Sequence, residues 1–588
     1  MEAPKVPRTN KPQNRRKVKT GCLTCKYAFR LPCLSPAIPP QFVQLTKRKR
    51  KRRVKCDEAR PSCERCVSTG RVCDGYGIWD SISKAPSKLK DKRASALSNT
   101  IVLSSLQGVS GKSHSIGFEY FRKYTVNKLP GVFESGFWNS LVFQACVEDP
   151  AVLHAATALG AAHKNEEAIS LVEYNQAIQH LRRHLNCLDN DALRVSLITC
   201  MIFACLELLR GGFKTGHAHL SNGMQLLREI QTRQGITSLD GPIVLRTHPQ
   251  SVEDALVEVF SRLNIQAMLF GQVSNHHIFV SERAPDGPKY NIPSNFQSHT
   301  EARKHLDSLI NGVYNLTQQG RNILHNQRQV SEQLYRWKEE LDIALIRWLQ
   351  AFNSSQKGLL ANLTPRKMYR TPLLRLYHTM ATIMAATSLR GIDEMIFDSY
   401  NSNFEALLRQ ATELWDMMHN AYLAFKKLTG YEMPAICFTA DMGFIPPLYY
   451  TVAKCRQPNL RRMAIEILMS APHREGAWSG PLIARMARHI MAIEEDGMYE
   501  ELDIMPTCQP GQSELPVVPH LSRINDINVS LPERSGGKAI LFCNRYRGRG
   551  EWITDNQEFD VALEESVTSR IWDSDATAYF ARLWNGDN

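Results

Sequence analysis

The chain has 588 residues, too many for one hydrophobic core, so two or more domains are expected. A hydrophobic fraction of 43% with 8% aromatic residues fits a soluble globular protein, and the longest uncharged apolar stretch, residues 195–206, is too short to cross a bilayer, so no membrane partner is expected. The formal net charge is +14 and the first 93 residues are strongly basic, which implies a polyanionic partner.

Residues 1–20 form a basic arm carrying Arg15, Arg16, Lys17 and Lys19, with no apolar segment of the kind a secretory signal needs. A reducing compartment is therefore expected, where clustered cysteines act as metal ligands rather than disulfides. Six cysteines follow: Cys22, Cys25, Cys56, Cys63, Cys66 and Cys73. They are spaced C-x2-C, then thirty residues, then C-x6-C-x2-C-x6-C. Structural zinc takes four ligands in a tetrahedron, so six thiolates serve two ions only if two sulfurs bridge them. Cys22 and Cys63, the first of each half, are the natural bridges. Six thiolates and two zinc ions leave net negative charge, which the surrounding lysines and arginines offset. Pro61 suits the tight turn between the halves, and Gly75 and Gly77 break regular structure after the last ligand.

The strings GCLTCK and RRVKCDEARPSCERCVSTGRVCDGY resemble the Zn2Cys6 binuclear-cluster DNA-binding domain of fungal transcription factors. The resemblance implies a zinc-dependent, sequence-specific regulator of RNA polymerase II transcription in the nucleus. Its partners would be double-stranded DNA and the transcription machinery. In that family a short helix after the second cysteine enters the major groove, and basic residues before the third cysteine read a CGG triplet. By position, Arg52 and Arg53 match the base-reading pair, whose planar forks suit guanine O6 and N7. Lys26 and Lys55 match the phosphate contacts that fix register.

The family has six residues between the second and third cysteines, and this chain has thirty. Removing residues 27–50 leaves CLTCKKRRVKC and restores the pattern. The excess segment holds four prolines and cannot continue a helix. Three readings stand side by side: a loop bulging from the cluster, a rearranged site using Cys33, and a translated intron. The last is preferred, because Lys26-Tyr27-Ala28 and Leu45-Thr46 are compatible with codons for a fungal splice donor and branch point. Without the segment's five basic residues the net charge falls from +14 to +9.

Residues 78–116 are rich in serine and lysine and read as a flexible linker with no sustained heptad, which leaves a homodimer open. From residue 117 a mainly α architecture is expected: a large all-helical domain to about residue 500, beside the small zinc module. Ala155, Ala156, Leu159 and Ala162 share one face, an apolar run covers 197–209, and Leu220, Met224 and Leu227 follow. Leu334, Trp337, Leu341, Leu345, Trp348 and Phe352 form an amphipathic stripe. Residues 196–212 and 443–462 resemble the regulatory domain that follows the zinc cluster in one branch of these factors. That resemblance implies effector response and restraint of activation. Around residues 538–546 a strand is expected.

The C-terminal region, 501–588, ends in an acidic and aromatic segment with Trp552, Phe559, Trp572 and Trp584. It reads as an activation segment or as a capping helix over 561–583, and the capping helix is preferred. His217 and His219 face different sides of a helix and are not expected to share a metal. Cys200 and Cys205 read as small buried hydrophobes, and Cys455 sits in a basic motif that would lower its pKa. The sequence contains no G-x-S-x-G, no H-E-x-x-H and no phosphate-binding glycine loop, so no enzyme is expected.

Overall fold

The computed structural model describes residues 27–29, 49–51 and 112–561, the last with interruptions at 186–189, 250, 272–277, 281–282, 285–286, 289, 326–328, 361–364, 430–437, 472, 501–514, 534–535 and 549. The chain divides into two units, residues 1–90 with 250–252, and residues 91–249 with 253–588. Within the first unit, strand Tyr27–Phe29 pairs antiparallel with strand Lys49–Lys51.

The second unit is mainly helical. Its first helix, Lys112–Tyr120, starts inside the segment expected to be linker. Helix Pro150–His163 begins where sequence dictates. Asp149 is extended, its carboxylate accepts the Ala151 N–H at 2.8 Å, and Pro150 occupies the first turn where no donor is needed. Ala155, Ala156, Leu159 and Ala162 are buried as expected, yet so is nearly every residue from Ala151 to His163. Small side chains allow this. A Cβ on Gly160 would lie 2.1 Å from the Gly117 carbonyl oxygen, so helix Lys112–Tyr120 can cross only at a residue without one.

Helix Asn190–Arg210 is the one helix among the described residues long and apolar enough to cross a membrane, and 72% of its apolar window is buried inside the protein. Helix Phe213–Arg233 packs along it and buries Leu220, Met224 and Leu227. A second group comprises helices His299–His325, Glu332–Leu359, Arg370–Ala386 and Asn401–Thr429. The predicted stripe lies on helix Glu332–Leu359, with Leu341, Leu345, Trp348 and Phe352 in the core and Trp337 at its margin. Trp348 is fully buried. It stacks on Phe352 at 4.7 Å and on His378 at 5.2 Å, and its indole N–H donates to the Ala302 carbonyl at 2.8 Å.

Three further helices, Ile445–Lys454, Pro458–Ser470 and Gly480–Glu495, pack on one another. The core then continues past residue 500 into an antiparallel sheet of Asp526–Ser530, Lys538–Gly548 and Glu551–Asp560, with the long strand in the middle. Val529 faces Leu541, and Lys538 faces Asp560. Period-2 alternation sends Ala539, Leu541 and Cys543 inward, which is the pattern legible around residues 538–546. The sheet docks at Gly271, whose carbonyl accepts the Val529 N–H at 3.1 Å. Gly271 has φ +76° and leaves no room for a Cβ, which would sit 2.6 Å from the Ile527 carbonyl oxygen. Trp552 and Phe559, read from sequence as part of an acidic and aromatic segment, lie on a strand. The capping helix expected over 561–583 falls outside the described residues from 562 onward.

Candidate functional site

The proposed zinc ligands Cys22, Cys25, Cys56, Cys63, Cys66 and Cys73, and the DNA-facing Lys26, Arg52, Arg53 and Lys55, lie outside the described residues. What is described is the base of the interruption between them. Tyr27 pairs with Lys51, Ala28 with Arg50 and Phe29 with Lys49. Paired residues in an antiparallel ladder have Cα atoms roughly 4.5–5.5 Å apart, little more than the ~3.8 Å between consecutive residues. The chain therefore enters and leaves the interruption at adjacent points. This stem spans the same stretch, residues 27–50, whose removal restores the cysteine pattern, with one further residue paired. Six thiols with two close C-x2-C pairs are a donor set that fits zinc, and a closed stem brings the two sides of the interruption together.

Among the described residues of the second unit, several charged side chains gather in a buried ionic centre. Glu394 precedes the short 3-10 turn Met395–Tyr400 and is 0% exposed. Its carboxylate accepts from Arg390 at 2.7 Å, Lys454 at 3.0 Å and Arg456 at 3.0 Å. Glu494, near the end of helix Gly480–Glu495, accepts from Arg456 at 2.8 Å, from Arg461, and from the Ile524 N–H at 2.6 Å. Arg523 donates to Asp398 at 2.7 Å and to the Glu394 carbonyl at 3.0 Å. The cations of Arg390, Lys454 and Arg456 also stand 5.0, 5.3 and 5.7 Å from the ring centre of Phe397.

The electrostatics follow from burial and count. Burial works against the Glu394 carboxylate, but Arg390, Lys454 and Arg456 outweigh it and hold its pKa down at about 2. Burial pushes Lys454 down to about 7, despite Glu394, and the neighbouring Arg390 and Arg456 add to the fall. Among the three cations on this carboxylate, lysine is the one whose proton burial loosens, since arginine keeps its own. These residues tie helix ends, the Met395–Tyr400 turn and the 518–525 segment into one piece. Removing one partner of such a pair leaves a buried uncompensated charge.

The sequence gives no sign of this centre as a unit. Lys454, Arg456 and Arg461 lie in the 443–462 motif, which reads as packing, whereas Glu394, Glu494 and Arg523 carry no local signal. The basic motif was also expected to lower the pKa of Cys455. The structure reverses this: the thiol is fully buried and its pKa is pushed up to about 11, desolvation outweighing Arg461 and Arg456. Cys205 is fully buried, as expected of a small hydrophobe, whereas Cys200 is half-buried, and desolvation drives its thiol up to about 12. His219 Nε2 lies 3.0 Å from the Tyr174 hydroxyl, while His217 lines a separate small cavity with Phe213 and Leu263.

Comparison with known proteins defines the class. Residues 118–429 match the fungal specific transcription factor domain, and the chain belongs to that family. Residues 49–79 match the fungal Zn(2)-Cys(6) binuclear cluster domain. The matched stretch contains Cys56, Cys63, Cys66 and Cys73 and starts after Cys22 and Cys25.

Among individual proteins, the chain is 28% identical over 258 residues to the aspercryptin biosynthesis cluster-specific transcription regulator atnN of Emericella nidulans, covering 38% of this chain and 41% of that protein. It is 28% identical over 204 residues to the transcription regulator lscL of Purpureocillium lilacinum, covering 31% and 48%. A 73-residue stretch is 40% identical to the transcriptional regulatory protein moc3 of Schizosaccharomyces pombe, covering 12% of this chain and 9% of that protein. The chain thus spans less than half the length of these curated relatives. No solved structure gives a significant match.

Proposed function

We propose that this chain is a zinc-dependent, sequence-specific DNA-binding regulator of RNA polymerase II transcription that acts in the nucleus. The observation that carries the reading is the match of residues 49–79 to the binuclear cluster domain, joined to a helical domain of the matching family. Cys22, Cys25, Cys56, Cys63, Cys66 and Cys73 hold two zinc ions, with Cys22 and Cys63 bridging. The metal, when bound, supplies the fold of a module too small to have a core of its own. Arg52 and Arg53 donate to guanine in a CGG triplet through the major groove. Lys26 and Lys55 contact phosphates and set the register. The helical domain tunes activity, and its buried ionic centre keeps it a single body.

A binding titration on short duplexes tests the assignment. Arg52→Ala or Arg53→Ala should cost about 1–3 kcal/mol on CGG DNA and relax the preference for the triplet. Lys55→Ala should weaken all sequences alike and flatten the salt dependence by about one phosphate contact. Arginine variants that leave the CGG preference intact would reject these roles.

The 24-residue interruption favours a second reading, a regulatory interaction protein whose zinc module no longer binds DNA. The paired stem weighs against it, because it returns the chain to where it left. Sequencing of transcripts across codons 26–51 separates an inserted loop from a retained intron. Spliced transcripts that keep all 24 codons establish the loop.

A further inference from the structure

We propose that His248, Glu301 and His305 form a binding site for a zinc-type divalent cation in the helical domain, separate from the cysteine module. Their donor atoms all lie within 4.8 Å of one another. The arrangement grows from local structure. Helix His299–His325 is capped by Ser298, whose hydroxyl accepts the Glu301 N–H at 3.1 Å, while the Gln297 N–H donates to Glu301 Oε2 at 2.7 Å. One carboxylate oxygen is thus fixed by the cap. The other, Oε1, points to His248 Nε2 at 3.9 Å. His305 follows Glu301 by four residues and so projects from the same helix face. His248 reaches the site from the loop after strand Ile243–Val244.

The trio is not a finished hydrogen-bond network. At 3.9 Å the His248–Glu301 approach is too long for a hydrogen bond. His305 is 3% exposed, and its Nε2 has no hydrogen-bond partner among the described residues. A buried imidazole nitrogen left this way is destabilising unless something occupies it. His248 Nδ1 lies 3.2 Å from the Thr247 hydroxyl, which leaves its Nε2 free to act as a ligand. Phe296 packs against His305 with ring centres 5.7 Å apart and walls the inner side.

Two imidazoles and one carboxylate are a borderline donor set that suits zinc and its neighbours, whereas calcium and magnesium want oxygen alone. A tetrahedron with bonds of about 2.0–2.2 Å needs donors roughly 3.3 Å apart, so the present trio must close by about 1.5 Å at its widest. The side chain of His248 is 70% exposed and has room to make that movement. Three protein ligands leave one position for water. Occupied, the site would pin the loop carrying His248 to the first turns of helix His299–His325.

The test is zinc uptake by the purified full chain, stripped of metal and titrated with Zn2+ alone, for the wild type and for His248→Ala and Glu301→Gln. His248 lies on the surface, so its removal leaves the core intact. The expected result is one equivalent of zinc fewer in each variant, or binding of that equivalent weakened by about 100-fold or more. Reloading with Co2+ should give ligand-field absorption lost in both variants, without loss of the thiolate bands from the cysteine module. Failure of the cysteine module would lower the zinc content of all three proteins equally and leave their difference in place. Equal zinc content and equal affinity in the wild type and His248→Ala would overturn the proposal.

Discussion

In the N-terminal region six cysteines fall within 52 residues, while in the helical domain Glu394 and Arg523 meet across 129 positions of sequence. The first arrangement is local in sequence: in the proposed assignment the second half of the module, Cys63, Cys66 and Cys73, draws its ligands from eleven consecutive residues. The second is assembled by tertiary packing, and no short stretch contains it. In the proposed reading such a module stands or falls with its own ligands, whereas the ionic centre joins distant parts of the helical domain. In the proposed reading zinc holds one region together, whereas burial of paired charge and apolar surface holds the other.

Removing one key side chain from each region separates the two most strongly. Cys63→Ser should abolish specific DNA binding, a loss of about 100-fold or more, while leaving the thermal unfolding of the helical domain unmoved. Glu494→Gln should do the reverse. Arg456 and Arg461 would be left buried with too little negative charge, at about 3–5 kcal/mol in chemical denaturation, with the zinc content unchanged. Coupled loss of both properties in either variant would show that the two regions are not independent.

A smaller effect probes the tight crossing at Gly160. Gly160→Ala places a Cβ against the Gly117 backbone and the Phe121 side chain, so the helices must part, at about 1–3 kcal/mol in the same denaturation experiment.

The smallest concerns acid. Burial, aided by Lys128, lowers His163 from 6.5 to about 3. The unfolded chain therefore takes up a proton that the folded one refuses between these values. Stability supported by neutral His163 is complete above pH 6.5 and is lost progressively as pH falls toward 3. A denaturation series across this window should show a shallower acid limb for His163→Gln than for the wild type.

How much of this was legible depends on the range of the interactions. The stripe at Leu341, Leu345, Trp348 and Phe352 was readable because helical period repeats it, and Leu541 and Cys543 because strand alternation does. Glu394 and Glu494 were not, since an isolated acid looks the same whether it is solvated or buried against arginines. Cys455 shows the opposite error: basic neighbours in sequence suggested a lowered pKa, and desolvation decided otherwise. His305 likewise has an ordinary sequence context, and its unpartnered Nε2 exists only once helix His299–His325 has packed.

DNA recognition by the cysteine module is measured most directly by a binding titration of CGG-containing and scrambled duplexes with the full chain and with a form lacking residues 27–50. The shortened form should prefer the CGG duplex at least about tenfold, and the full chain, with 27–29 paired to 49–51, should keep that preference. A shortened form that does not distinguish the two duplexes would contradict DNA recognition by the module.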